Sequence, residues 1–170
     1  MKLLLFFSLA MIFYIYAGYF LLIALVAAIR RKSVRRADTT PTVSLLIPAY
    51  NEEAHIEATL RNKLSLDYPP DKLEIIVISD GSTDGTDALV QAVAHPQVRL
   101  IRQEARAGKT AALGRAVGEA RGEVVVFSDA NSLYAPDALR KLVRNFADPD
   151  VGYVTGKMVY VNDADSTIGE

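Results

Sequence analysis

The chain is 170 residues long, with 19 basic and 20 acidic side chains and a formal charge of −1. That balance lacks the positive field that draws a protein to nucleic acid, and no nucleic-acid partner is expected. With no cysteine the chain forms no disulfide, thiolate nucleophile or Cys-built zinc site, and its two histidines, His55 and His95, lie too far apart in sequence to suggest a metal pair.

Leu3 to Ile29 carries no charged residue. As a helix it would reach about 40 Å at 1.5 Å per residue. Bilayer hydrocarbon is only about 30 Å thick. The run is also much longer than the roughly 7–15 apolar residues of a signal peptide. Residues 1–29 are therefore expected to form one transmembrane helix. Arg30, Arg31, Lys32, Arg35 and Arg36 follow at once, with only Lys2 ahead of the run. The positive-inside rule then puts the following domain in the cytoplasm, on a single pass through a plasma or inner membrane. Residues 30–42 read as a basic juxtamembrane linker.

Beyond the linker, short apolar runs alternate with helical patterns. Val43 to Ile47 reads as a strand stopped by Pro48. Glu52 to Leu66 reads as a helix with Ile56, Leu60 and Leu64 on one face and Asn51 as its N-cap. Leu73 to Ile78 is a second strand, followed by a glycine-rich loop and a helix over 84–94. Val98 to Ile101 is a third strand. Lys109 to Arg121 is helical, closed by Gly122 as a C-terminal cap.

Val124 to Phe127 is the run expected to be buried on both faces, as in a parallel sheet. Pro136 starts another helix, and 151–161 holds a last strand or strand pair around Gly156. This alternation predicts βαβ units, a mostly parallel sheet, and helices on both faces. The loops 48–52, 79–85 and 128–135 each follow a strand, so they gather at the carboxyl edge, where such sheets bind ligands.

The chemistry sits in those loops. Asp129 and Asn131 are two apart, so two oxygen ligands can converge on a hard cation. Ser128 to Ser132 is also what an ordinary turn contains. Asp80 ends the second strand and can accept from a nucleobase N–H or a ribose hydroxyl, with Asp84 as the structural cap beside it. Tyr50 offers an aromatic face to a base. Glu52 either bonds a ribose hydroxyl or complements the helix dipole, and spacing does not separate the two. Gly108-Lys109-Thr110 resembles the tail of a phosphate loop, but Gln103 stands where that motif requires glycine. Lys109 at a helix start can still meet a phosphate. Arg99, Arg102 and Arg106 are expected to be solvated. A nucleoside diphosphate would tie these features together.

Four stretches resemble glycosyltransferase family 2. They are Val43 to Glu52, Ser79 to Asp84, Ala107 to Leu113, and Phe127-Ser128-Asp129-Ala130-Asn131 at the D-x-D position. The resemblance runs from about Val43 to Tyr160. It implies a GT-A (Rossmann-like) α/β fold over 43–170 and a nucleotide-sugar donor, most often UDP-linked, with Mg²⁺ or Mn²⁺. By it, the donor site comprises Pro48, Ala49, Tyr50, Glu52, Asp80, Lys109, Ser128, Asp129 and Ala130, and the metal ligands are Asp129 and Asn131. Asn131 replaces the family's second acid, and Gly114 stands where the family usually has Asn.

The family's acceptor-side base and Q-x-x-R-W stretch come later than the strand around Gly156. Asp163 and Asp165 lie in a polar tail and are not candidates for that base. The expectation is a membrane-anchored, inverting sugar transferase acting on a glycan or lipid acceptor. The carboxyl-terminal part of its fold, with the base, would lie beyond Glu170. A non-catalytic nucleotide- or partner-binding module and a nucleotidyltransferase are the alternatives.

Overall fold

A computed structural model describes residues 2–30 and 32–159. Two compact units divide at Val34 and Arg35. The first is built on one helix, Lys2–Ile29, of 28 residues. Within it α1 (Lys2–Phe13) and α2 (Tyr19–Ile29) flank a π-helical turn, Tyr14–Gly18, and no side chain is buried. The helix is long and apolar enough to cross a membrane.

The second unit is a four-stranded parallel sheet of β1 (Val43–Ala49), β2 (Leu73–Asp80), β3 (Val98–Gln103) and β4 (Val124–Phe127), ordered β3-β2-β1-β4. Val43 pairs with Leu73 on one side and with Val124 on the other. The helices are α3 (Ile56–Leu64), α4 (Thr86–Ala92), α5 (Lys109–Glu119) and α6 (Ala138–Val143). Alternation along β1 and β2 splits the core in two. Leu45, Ile47, Ile75 and Val77 pack with Ile56, Leu60, Val90, Leu139 and Val143 of α3, α4 and α6. Leu46, Ile76 and Ile78 pack on the other face against Ala112 and Ala116 of α5. Helices thus cover both faces, and each face buries the apolar side chains that drive the fold.

Several local expectations change. Pro48 continues β1 rather than stopping it, opposite Ile78. Leu46 turns its carbonyl to the β4 side, where it accepts from the Ser128 N–H at 3.0 Å. Pro48, two residues on, turns the same way beyond the last β4 pair at Phe127, so its missing N–H breaks no ladder bond.

Asn51 does not cap α3, which starts at Ile56 after His55. Asn51 has φ +54, a left-handed conformation that Asn tolerates. Its Oδ1 instead accepts from the Thr83 N–H at 2.9 Å. Gly122 is not the helix cap either, since α5 ends at Glu119 with Ala120 as its cap. A Cβ at Gly122 would lie 2.5 Å from the Ser44 nitrogen, so glycine there lets the chain cross β1 closely.

β4 is not buried on both faces. Among the described residues it pairs only with β1, and Phe127 is 52% exposed. Residues 151–159 form no strand, and positions 160 and 161 of the expected strand lie outside the described residues, as do Asp163 and Asp165. Within the second unit the segment from Arg35 packs beside β2: the Tyr68 hydroxyl donates to Pro41 O at 2.5 Å and the Lys72 ammonium to Thr40 O at 2.8 Å.

Candidate functional site

The chain runs β1 to β2 to β3 in one direction, then returns past β1 to β4. The strand order therefore reverses between β1 and β4, and ligands of open α/β sheets bind outside the carboxyl ends of the strands at such a point. Here a cavity of about 180 Å³ is lined by Pro48, Lys109, Leu113, Phe127, Ser128 and Asp129. A larger depression, about 450 Å³, lies at the opposite end beside His95 and Val98, away from every strand-end loop.

The loops around the smaller cavity are tied to one another. The Glu52 N–H donates to Thr86 Oγ1 at 2.8 Å, and the Glu53 N–H to Asp84 Oδ2 at 3.1 Å. Glu53 Oε2 accepts from the Gly85 N–H at 3.0 Å. Asp84 Oδ1 accepts from both the N–H and the hydroxyl of Thr86, and these bonds hold its carboxyl below the usual carboxylate range. Asp84 is thus the structural acid of its loop. Ala49 is buried at the end of β1, and Glu52 is half-buried with no hydrogen-bond partner for its carboxylate among the described residues.

Asp80 is only 4% exposed. Its two oxygens accept from the Ala107 and Gly108 N–H groups, each at 2.7 Å. It therefore anchors the loop that delivers Lys109, and it keeps spare lone pairs for another donor. Gly81, at φ +72, lets that loop pass: a Cβ there would lie 2.9 Å from the Arg106 nitrogen. Arg106 is exposed, as expected, but it is not free of contacts. Its guanidinium sits 3.9 Å from the Tyr50 ring centroid, a cation–π contact over the face expected to stack on a base. Arg99 and Arg102 are also engaged, with Glu119 at 3.2 Å and with Asp87.

At the cavity the Lys109 ammonium lies 2.5 Å from Asp129 Oδ1. Both side chains are about half exposed, so the pair is worth little to stability and is free to rearrange. Asn131 is exposed beside it. Ser128 is buried, with its hydroxyl 3.0 Å from that of Ser132, and Ala130 is buried with its carbonyl accepting from Thr59 Oγ1 at 2.6 Å. Burial raises the Tyr134 hydroxyl's pKa above its ordinary value, with Asp129's charge adding to the rise.

No cluster of three or more His, Cys, Asp or Glu that could hold a metal occurs among the described residues. One carboxylate and one amide suit a Mg²⁺ or Mn²⁺ that draws its other ligands from a diphosphate and water. Asp129 already attracts a cation, the Lys109 ammonium, so its charge fits the ion.

A doubly covered parallel sheet with acidic and basic loops at its switch point is the framework of a nucleotide-binding α/β domain. The family model for Glycosyl transferase family 2 matches residues 44–169, and the chain belongs to that family. It is 35% identical over 128 residues to the beta-monoglucosyldiacylglycerol synthase of Synechocystis sp., covering 73% of this chain and 27% of that protein. It is 35% identical over 132 residues to the poly-beta-1,6-N-acetyl-D-glucosamine synthase of Staphylococcus aureus, covering 76% of this chain and 31% of that protein. The chain thus spans about a third or less of the length of these curated relatives.

Among solved structures, it resembles the mannosyltransferase PcManGT of Pyrobaculum calidifontis in complex with GDP-Man and Mn²⁺. The TM-score is 0.70 and the identity 38%, over 82% of this chain and 43% of that one. Staphylococcus aureus TarS with UDP-GlcNAc gives a TM-score of 0.56 and 26% identity, over 59% of this chain and 29% of that one. The fold is of the GT-A kind, as the motifs implied.

Sequence reasoning missed the polar face of α3. Thr59 and Lys63 lie on the helix's buried stripe with Ile56 and Leu60. A lysine at the i+7 position of an apolar stripe was the available signal.

Proposed function

We propose that the chain binds a nucleotide-sugar donor at the β1/β4 switch point and serves transfer of its sugar, with inversion, to a glycan or lipid acceptor at a membrane. The observation that carries this reading is the Lys109–Asp129 pair on the switch-point cavity, a cation and an anion set where a diphosphate and its divalent ion need them.

In this reading Tyr50 and Ala49 flank the base, Glu52 and Asp80 accept from base or ribose, and Pro48 bounds the cleft. Lys109 turns from Asp129 to the diphosphate and helps neutralise charge developing on it as the sugar leaves. Asp129, assisted by Asn131, would hold the divalent ion, with Ser128 and Ala130 shaping the loop. When bound, Mg²⁺ or Mn²⁺ supplies Lewis-acid stabilisation of the departing diphosphate. GDP-Man and UDP-GlcNAc in the neighbours support a nucleoside diphosphate sugar, and the family motifs favour a uridine base. The apolar Lys2–Ile29 helix and the basic residues after it support single-pass anchoring with the domain in the cytoplasm.

Isothermal titration of the detergent-solubilised chain with UDP and with GDP, each with and without Mn²⁺, tests the reading. Metal-dependent binding of one of them, lost in Asp129→Ala, is expected. Binding of neither, or binding indifferent to Asp129, would overturn it.

A further inference from the structure

The loop after β4 has little support of its own. β4 is short, half-exposed and paired on one side among the described residues, yet the loop carries Asp129 and Asn131. What holds it is α3. Thr59, Asn62 and Lys63 stand at i, i+3 and i+4, so they share a face. Thr59 Oγ1 donates to the Ala130 carbonyl at 2.6 Å, and the Lys63 ammonium to the Ser132 carbonyl at 2.6 Å. The Asn62 amide donates to the Tyr134 carbonyl at 3.0 Å and accepts from the Tyr134 N–H at 2.8 Å.

The helix therefore grips alternate residues 130, 132 and 134, as a neighbouring strand would. Asn131 and Leu133, between them, point outward and are exposed. Lys63 itself is fully buried, its ammonium 3.5 Å from the centre of the Tyr134 ring. No carboxylate among the described residues forms an ion pair with it. A buried ammonium held only by neutral partners, the Ser132 carbonyl, Asn62 Oδ1 at 3.3 Å and the Tyr134 ring, is an expensive way to fill a helix stripe, and burial pushes it down to about 7. An apolar residue would fill that stripe without the penalty, but it would leave the Ser132 carbonyl unheld.

We propose that Thr59, Asn62 and Lys63 are positioning residues for the acidic loop. By fixing its backbone at alternate carbonyls, they aim Asp129 and Asn131 at the diphosphate and divalent ion. The inference rests on the donor site proposed above, and they touch neither donor nor metal themselves.

The test uses the full chain in detergent and compares Lys63→Met, Thr59→Val and Thr59→Ser. Thr59→Val keeps the shape and loses the hydroxyl, whereas Thr59→Ser keeps the hydroxyl. Hydrogen exchange of the Ser132 and Tyr134 amides, whose N–H groups are bonded to Asp129 O and Asn62 Oδ1, is expected to quicken at least tenfold in Lys63→Met and Thr59→Val, with β1 and β2 amides unchanged. Mn²⁺ affinity in the presence of UDP is expected to fall at least tenfold in both, uridine affinity to stay constant, and Thr59→Ser to restore wild-type values.

A purely structural role would move melting temperature without separating metal from nucleoside. Unchanged loop exchange, or faster exchange with unchanged Mn²⁺ affinity, would overturn the proposal. Should Lys63→Met fail to fold, the Thr59 pair decides it. A wild-type chain that binds no nucleotide overturns the donor reading and this role together, whereas wild-type binding left intact in Thr59→Val overturns this role alone.

Discussion

Replacing Asp80 by Asn removes one acceptor from a buried clamp and changes little else in shape. The carboxylate takes two N–H groups, from Ala107 and Gly108, both at 2.7 Å. Hydrogen bonds to a charged group contribute about 1.5–3 kcal/mol each. Asn keeps one of them as a weaker neutral bond and turns its own N–H toward the other backbone N–H. The expected loss is about 2–4 kcal/mol of stability, read as a fall in the urea midpoint at constant slope. The loop so loosened places Lys109 at the first turn of α5, so nucleotide affinity should fall as well, by at least about tenfold or 1.4 kcal/mol. Titration calorimetry with UDP and Mn²⁺ measures that second loss. A variant within about 0.5 kcal/mol of wild type in stability would refute the clamp, because ordinary surface substitutions stay within that range.

Lys109→Met should change stability by less than about 1 kcal/mol, since its ion pair with Asp129 is half-exposed. It should weaken UDP binding while leaving uridine binding intact, and equal losses for both ligands would remove Lys109 from the phosphate site. Lys63 gives a pH prediction. Its folded-state pKa drops from 10.5 to about 7, so the unfolded chain holds a proton that the folded chain releases between those values. Stability then rises with pH from about 7 toward 10.5, with a ceiling of about 5 kcal/mol. The Ser132 carbonyl and the Tyr134 ring favour the charged form and keep the rise below that ceiling. Urea midpoints at pH 7, 8 and 9 should therefore climb more steeply in wild type than in Lys63→Met, and parallel profiles would refute the assignment. Gly122→Ala drives a Cβ to 2.5 Å from the Ser44 nitrogen and should destabilise the sheet by about 1–3 kcal/mol, measured the same way.

The strands were legible because a sheet covered on both faces selects continuous apolar runs. Leu45 to Ile47 and Ile75 to Ile78 are such runs, and both proved buried. The parallel sense of the strands and the gathering of their loops followed from the βαβ rhythm, whereas their order, β3-β2-β1-β4, was read only from the structure. The gathering of Asp80, Lys109 and Asp129 was legible for the same reason, since each stands just after a strand or at a helix start.

Hydrogen-bond destinations were not legible. Asp80 reads as a ligand contact from its place in the chain, but its oxygens go to a loop 27 and 28 residues later. Asn51 has the chemistry of an N-cap, yet it bonds a loop 32 residues on. Arg106 over Tyr50 and Lys63 under the acidic loop are likewise tertiary contacts. No local pattern encodes them. β4 was misjudged because apolar content reports what a strand is built to bury, and among the described residues its outer edge has no partner.

The central claim is that a nucleotide and its divalent ion bind at the β1/β4 switch point. Mn²⁺ broadens the amide resonances of residues near it. Added with UDP or GDP to the isotope-labelled chain, it should broaden the amides of Pro48's neighbours Ile47 and Ala49, of Gly108 and Lys109, and of Ser128 to Asn131. The amides around His95 and Val98 at the far end of the sheet should stay sharp. Broadening centred on that far end, or none in the 128–131 loop, would contradict the account.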